Sequence, residues 1–128
     1  MKKILAEISL GELADKITIL EIKMKKIVDK ESLNILKKEY QSLNTIDLEG
    51  VDLDKYKQFF NELKSINEKL WNIENEKRLL EKNSDFGDKF IQVSREVHFM
   101  NDKRSKIKKD INRSFGSNIE EVKEYTKY

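Results

Sequence analysis

The chain contains no cysteine and no proline, and it has only one histidine and four glycines among its 128 residues. Without cysteine it can form no disulfide, no thiolate nucleophile and no cysteine-ligated metal site. A single histidine also excludes the usual multi-histidine metal centres, so we expect neither a metal nor a cofactor. Because proline and glycine interrupt helices, their scarcity beside 39% charged residues is typical of long helices.

An excess of charge of one sign is missing as well, since 26 lysines and arginines stand against 24 aspartates and glutamates. This balance provides no general attraction to nucleic acid or to anionic membranes, so we expect no nucleic-acid partner. Long hydrophobic runs are also absent. Near the start, the apolar stretch Ile4–Ala6 is interrupted by Glu7, which makes it too short for a signal-peptide core or a membrane span. We therefore expect a cytoplasmic protein that does not insert into a membrane.

Apolar residues that recur at steps of three and four predict an all-α fold, with residues 1–128 forming a single helical domain. The predicted helices cover about 9–28, 31–44, 53–82 and 86–115. Between the two longest, Asn83, Ser84 and Asp85 predict a turn. We expect the third and fourth helices to form a long antiparallel hairpin on which the first two helices pack.

The ends of the predicted helices carry local signals. Ser9 and Glu12 have the spacing of a capping box, and Gly116 is a typical C-terminal cap of the fourth helix. The short element at 118–125 has two interpretations. It could pair as a strand with the start of the chain, or it could form a short helix, because Ser117 and Glu120 repeat the capping-box spacing.

The first predicted helix has apolar residues on two sides. Ile19 and Ile22 project from nearly the opposite side to its main apolar face, where an outer helix would carry lysine or glutamate. Either this helix is central in the bundle, or Ile19 and Ile22 contact another subunit. The second alternative predicts a homo-oligomer, most simply a dimer, or a complex with another protein.

A stripe of mostly short, uncharged polar residues follows the fourth predicted helix beside its apolar face. Its members are Ser94, His98, Asn101, Ser105, Lys108 and Asn112. Such side chains either form hydrogen bonds between helices or bind a ligand across a partly buried surface. With nearby charged residues included, the candidate ligand-binding residues are Arg95, His98, Asn101, Asp102, Arg104, Lys108 and Asn112.

Two of these candidates carry specific expectations. Arg104 occupies a position on the apolar face, so its charge needs a partner, and Glu62 or Glu68 of the third helix could provide one. Alternatively, Arg104 could bind a carboxylate or phosphate in bidentate fashion. His98 is the natural proton carrier near neutral pH, with Asp102 one turn away. However, it has no evident nucleophile beside it, and we predict no catalytic residue.

Two functions from different classes follow. The leading hypothesis is a non-enzymatic interaction or accessory module that self-associates or binds a protein partner. It depends on the two apolar sides of the first predicted helix and on the lack of an evident set of catalytic residues. The alternative is a small helical enzyme or binder of an anionic metabolite that bears phosphate or carboxylate. In that case Arg95, Arg104 and Lys108 would hold the anion.

Several segments in order along the chain resemble a family of short bacterial and phage-associated proteins known as a domain of unknown function. They are Ile8–Leu13, Asp15–Lys23, Leu70–Glu74, Asp85–Gly87, Asn101–Arg104, Lys108–Asn112 and Gly116–Ser117. The resemblance implies a helical fold and an accessory role near polysaccharide or glycosyltransferase genes. The chain departs from the family pattern at Asn75, where an acidic residue is usual, and at His98, where an aromatic residue such as tyrosine is usual. An aromatic residue in place of His98 argues against an essential acid–base role.

Overall fold

The structure, a computed structural model, describes all of residues 1–128. Four helices follow one another: α1 (Leu10–Lys26), α2 (Lys30–Asn44), α3 (Leu53–Lys82) and α4 (Asp88–Phe115), with no strand. The predicted all-α fold is confirmed, and the predicted ends of the helices lie within two residues of the observed ones. None of the four helices has an apolar stretch of the length needed to cross a bilayer.

Side-chain caps explain where most of the helices begin. Ser9 Oγ accepts a hydrogen bond from the backbone N–H of Glu12 at 3.1 Å, and Asp29 caps α2 in the same way through Ser32. Asp52 accepts from two backbone N–H groups at the start of α3. These side chains satisfy donors that have no partner within the helix, so the helix starts are encoded locally.

The two longest helices, α3 and α4, form a hairpin. Near its turn, Lys89 Nζ of α4 lies 3.4 Å from Glu76 Oε1 of α3. At the opposite end, the rings of Tyr56 and Phe115 meet edge to face, with centroids 6.4 Å apart. Contacts at both ends show that the two helices run antiparallel. At 1.5 Å per residue, the 30 residues of α3 span about 45 Å.

Helix α1 is central, because it packs on α2, α3 and α4, whereas α2 packs on α1 alone. Its two apolar sides are both used inside the chain. Ile22 is only 2% exposed and lies beside Leu70 and Trp71 of α3, with Ile19 half-buried next to it. The assignment of Ile22 to an interface with a second subunit is therefore wrong, since this side chain belongs to the protein's own core.

The backbones of α1 and α4 approach closely at Gly11. Its N–H donates to Asn112 Oδ1 at 2.7 Å, and a Cβ at this position would lie 2.5 Å from the carbonyl oxygen of Lys108. Only glycine fits such a contact. The crossing fixes the start of α1 against the last turns of α4, which places the polar residues of both helices side by side.

The terminal segments form neither of the two arrangements expected from the sequence. No backbone hydrogen bond joins residues 1–8 to residues 118–128, and both segments lack helix and strand. Side chains connect them instead: Asn118 Nδ2 donates to Glu7 Oε1 at 3.1 Å, and Ser117 Oγ accepts from the N–H of Leu10 at 3.0 Å. We call residues 118–128 the C-terminal segment. Its side chains contact α4 at Asp102, Lys108 and Arg113.

Candidate ligand-binding cleft

A buried carboxylate lies at the junction of α1 and α4. Asp15 is 2% exposed, and its Oδ1 accepts from Arg104 Nε at 2.9 Å, while Oδ2 accepts from Arg104 Nη2. The expected partners of Arg104 on α3, Glu62 and Glu68, are therefore wrong. Because α1 packs on both helices of the hairpin, Asp15 lies next to the guanidinium of Arg104.

Two further polar side chains complete this buried network. Asn67 of α3 donates from Nδ2 to Asp15 Oδ1 at 2.9 Å and to Thr18 Oγ1 at 2.8 Å. The Thr18 hydroxyl donates to the backbone carbonyl of Asp15 at 2.8 Å. The network thus joins α1, α3 and α4, and it supplies the hydrogen bonds that a buried charge requires.

The network keeps both charges in their ionised form. Burial by itself would raise the pKa of Asp15, but hydrogen bonds from Arg104 and Asn67 and the positive charge of Arg104 outweigh it. The pKa of this carboxyl consequently lies below its ordinary value. The hydrogen bond to Asp15 likewise raises the pKa of Arg104, against the effect of burial.

The pairing also fixes the orientation of Arg104. Nε and Nη2 both point to Asp15, so the planar guanidinium is held along one edge and Nη1 has no partner within the chain. The Arg104 side chain remains 30% exposed. One donor group of a rigidly held cation is therefore free to bind a molecule from solvent.

Lys108 lies one turn further along α4 and has three carboxylates around it. Its Nζ is 2.8 Å from Glu12 Oε2, 3.7 Å from Asp15 Oδ2 and 3.6 Å from Glu121 Oε2. Two of these partners come from α1 and one comes from the C-terminal segment. The ammonium group of Lys108 thus lies between two carboxylates of α1 and one carboxylate of the C-terminal segment, which has no regular secondary structure.

These groups border a cleft of about 730 Å³ between α4 and the C-terminal segment. Five of the seven predicted ligand-binding residues line it: His98, Asn101, Asp102, Arg104 and Lys108. The structure does not bring the other two into its lining. Asn112 is buried against Gly11, and the guanidinium of Arg95 lies over the ring of Phe99, 5.6 Å from its centroid. Ligand binding by these residues stays a prediction.

The C-terminal segment forms the far wall of the cleft. The hydroxyl of Tyr128 donates to Asp102 Oδ2. The Tyr128 ring meets the rings of His98 and Phe99 edge to face, with centroids 5.1 and 5.3 Å away. The hydrogen bond to Asp102 raises the pKa of Tyr128, because the carboxylate favours the protonated hydroxyl.

Sequence reasoning missed Asp15 as the partner of Arg104, and it missed Tyr128 altogether. A signal for the first exists: Gly11, Asp15, Thr18 and Ile22 recur at steps of four and three, which marks a second buried face of α1. No comparable pattern marks the C-terminal segment.

Comparison with known proteins provides a family but no activity. No curated protein and no solved structure shows significant similarity to the chain. A family model described as a family of unknown function (DUF6165) matches residues 3–128, nearly the whole chain. The earlier resemblance to an uncharacterised family agrees with this match. The chain belongs to the DUF6165 family.

Proposed function

We propose that the protein binds a small anionic molecule, one that bears phosphate or carboxylate, in the cleft beside α4. The observation that supports this most is Arg104, which is held by a buried carboxylate and still lines the cleft. A volume of about 730 Å³ lies within the range of small-molecule sites in proteins.

Fixing the guanidinium in advance lowers the cost of binding. A free arginine side chain loses about 0.5–1.5 kcal/mol of rotamer freedom when a ligand immobilises it. Asp15 has already restricted Arg104 in the folded chain, and Nη1 remains available. Asn101 and Ser105 add uncharged hydrogen-bonding groups to the lining, which suits a polar ligand.

The geometry supports the binding of a small anion more than it supports a protein-interaction module, which was the leading hypothesis from the sequence. That hypothesis depended on a second apolar side of α1 open to a partner, and Ile22 on that side is buried in the core. An enzymatic step is not part of the proposal, because the ring of His98 packs against Phe99 and Tyr128 and has no nucleophile beside it. A gene neighbourhood near polysaccharide genes and a cytoplasmic location stay predictions.

Isothermal titration calorimetry of the full chain with inorganic phosphate, pyrophosphate and citrate tests the proposal. Arg104→Lys keeps the charge but loses the planar fork, so we expect it to weaken binding of the best probe at least about tenfold. The matched control is Arg78→Lys, an arginine of α3 outside the cleft lining, which should leave the affinity unchanged. Binding of no probe, or equal binding by Arg104→Lys, would contradict the proposal.

Self-association remains a second candidate, supported by a different observation. At the turn between α3 and α4, Leu79, Phe86 and Ile91 are each more than half exposed. Charges of both signs surround them, as in the pair Glu76 and Lys89, so a second copy would not be repelled. Sedimentation equilibrium should then show a dimer that Ile91→Glu dissociates. A strict monomer at about 100 μM, on the scale of weak association, would exclude this candidate.

A further inference from the structure

A second cavity, of about 390 Å³, lies between α1, the end of α2 and the start of α3. We call it the loop cavity, because the loop of residues 45–52 borders it through Ile46 and Leu48. Eight of its twelve lining residues are hydrophobic, and none of the twelve lines the cleft beside α4. A volume and an apolar lining of this kind are typical of sites for small molecules in proteins.

The packing of the helices leaves the loop cavity open. Helix α2 packs on α1 alone, so no contact between helices closes the space between the end of α2 and α3. Leu13 and Ile17 of α1 line its buried side, whereas Ile46 and Leu53 at its edge are 44% and 57% exposed. A molecule that enters would cover apolar surface of Ile46 and Leu53 that is in contact with water, which favours binding.

Tyr56 adds an unpaired hydroxyl group to this apolar lining. The residue is only 8% exposed, and its hydroxyl is buried without a hydrogen-bond partner. Its ring packs with Phe60 and Phe115, at centroid distances of 6.0 and 6.4 Å. Phenylalanine would make the same ring contacts without the cost of a buried, unpaired hydroxyl. The hydroxyl therefore has no role in holding the fold together, and it is available to a bound molecule.

The charges around the hydroxyl indicate which kind of molecule fits. Burial and the negative charge of Glu21 raise the pKa of Tyr56, so its hydroxyl stays protonated and acts as a hydrogen-bond donor. Glu21 also lines the cavity, where it pairs with Lys64 at 3.0 Å and accepts from the Tyr40 hydroxyl at 3.5 Å. Lys57, the cation of the lining, is exposed to water. The ligand thus needs an acceptor oxygen, and a carboxylate would lose its hydration close to another negative charge.

We propose that the loop cavity binds a small uncharged molecule with an apolar body and one carbonyl or hydroxyl oxygen, which accepts a hydrogen bond from Tyr56. The apolar body packs against Leu13, Ile17 and Phe60. This site is separate from the anion-binding cleft and goes beyond the proposed function, so one can fail without the other.

NMR titration of the methyl signals of the full chain tests the site. The probes are acetophenone, an aromatic ketone, ethylbenzene, which has a similar shape but no acceptor, and benzoate, the anionic counterpart. Acetophenone and ethylbenzene should shift the signals of Ile17 and Leu48 and leave that of Val93, which is buried in α4 outside the lining. We expect benzoate to bind at least about tenfold more weakly than acetophenone.

The variant Tyr56→Phe tests the hydrogen bond. It should weaken acetophenone about fivefold and leave the affinity for ethylbenzene unchanged, because only the ketone loses a donor. Comparing the two probes on the same variant cancels any general change in the shape of the cavity. The matched control is Tyr40→Phe, which removes a hydroxyl outside the lining and should leave both affinities unchanged.

Three results would overturn the inference. The first is that no probe moves the signals of Ile17 and Leu48, which would mean that the cavity takes no such molecule. The second is that Tyr56→Phe weakens neither probe or both equally, in which case water alone is the partner of the hydroxyl. The third is that benzoate binds as tightly as acetophenone, which would exclude the uncharged class. None of these results bears on phosphate binding through Arg104.

Discussion

Replacing Asp15 with alanine removes the acceptor to which both Arg104 and Asn67 donate. The guanidinium would then remain at the junction of the helices without its counter-charge. Removing one partner of a buried ion pair typically costs about 3–5 kcal/mol. Because the Arg104 side chain is 30% exposed and can reach water in part, we expect a loss at the lower end, about 3 kcal/mol.

This loss is a large share of the stability of a domain of this size. Native domains are typically stable by about 5–15 kcal/mol, so about 3 kcal/mol is a fifth or more of the total. For a chain of 128 residues, it corresponds to a fall in Tm of about 10 °C. In this variant, we also expect α1 to separate from the hairpin at a lower urea concentration than the one at which the hairpin itself unwinds.

Urea unfolding followed by the fluorescence of Trp71 measures the effect. Trp71 is the single tryptophan, and it borders a cavity together with Ile19 and Ile22, so it reports on the contact between α1 and α3. The matched control is Glu21→Ala, which removes another α1 acid from an ion pair with Lys64 at 3.0 Å. That pair is partly exposed, and we expect its loss to cost less than about 1 kcal/mol.

A double-mutant cycle isolates the pair itself. Asp15→Ala and Arg104→Ala should each destabilise the fold, and the double variant should lose less than the sum by about 1–3 kcal/mol. Either of two results would contradict this prediction. One is a cost of Asp15→Ala no larger than that of Glu21→Ala, and the other is simple additivity of the two single variants.

Three further predictions follow from the buried groups. Gly11→Ala should cost about 2–3 kcal/mol in urea unfolding despite its better helix propensity, because its Cβ would meet the backbone of Lys108 at 2.5 Å. The lowered pKa of Asp15 means that its stabilisation is present above about pH 4 and is lost as the pH falls through the folded value, so the unfolding free energy of Asp15→Asn should fall less steeply below about pH 4. Tyr56→Phe should leave stability unchanged or raise it by up to about 1 kcal/mol, because the buried hydroxyl has no hydrogen-bond partner.

Each of these variants has a control in the same chain. Gly87→Ala adds a Cβ that meets only Asp85 Oδ1 at an ordinary 3.5 Å, and it should cost less than about 1 kcal/mol. Asp102→Asn removes one negative charge at an exposed position of α4 and is the matched charge control for Asp15→Asn. Tyr40→Phe removes a hydroxyl 3.5 Å from Glu21 Oε2 and should bring no gain. Each prediction has a result that would contradict it. These results are wild-type stability in Gly11→Ala, the acid slope of the wild type in Asp15→Asn, and a loss of more than about 1 kcal/mol in Tyr56→Phe.

Local sequence signals specify the helices and place the polar stripe on α4. Ser9 and Gly116 act on their own neighbours through capping, and apolar spacing sets the buried side of each helix, so both can be read from short windows. For the same reason, helical spacing alone places His98, Asn101 and Arg104 close together on α4.

The pairing of groups across the helices depends on how the helices pack in three dimensions. Asp15 and Arg104 are 89 residues apart, and their pairing depends on α1 packing on both helices of the hairpin, which Gly11 permits by its close approach to α4. The C-terminal segment likewise contacts Lys108 and Asp102 of α4 through Glu121 and Tyr128. Contacts between distant parts of a chain are fixed by packing and charge in three dimensions, which local propensity does not encode.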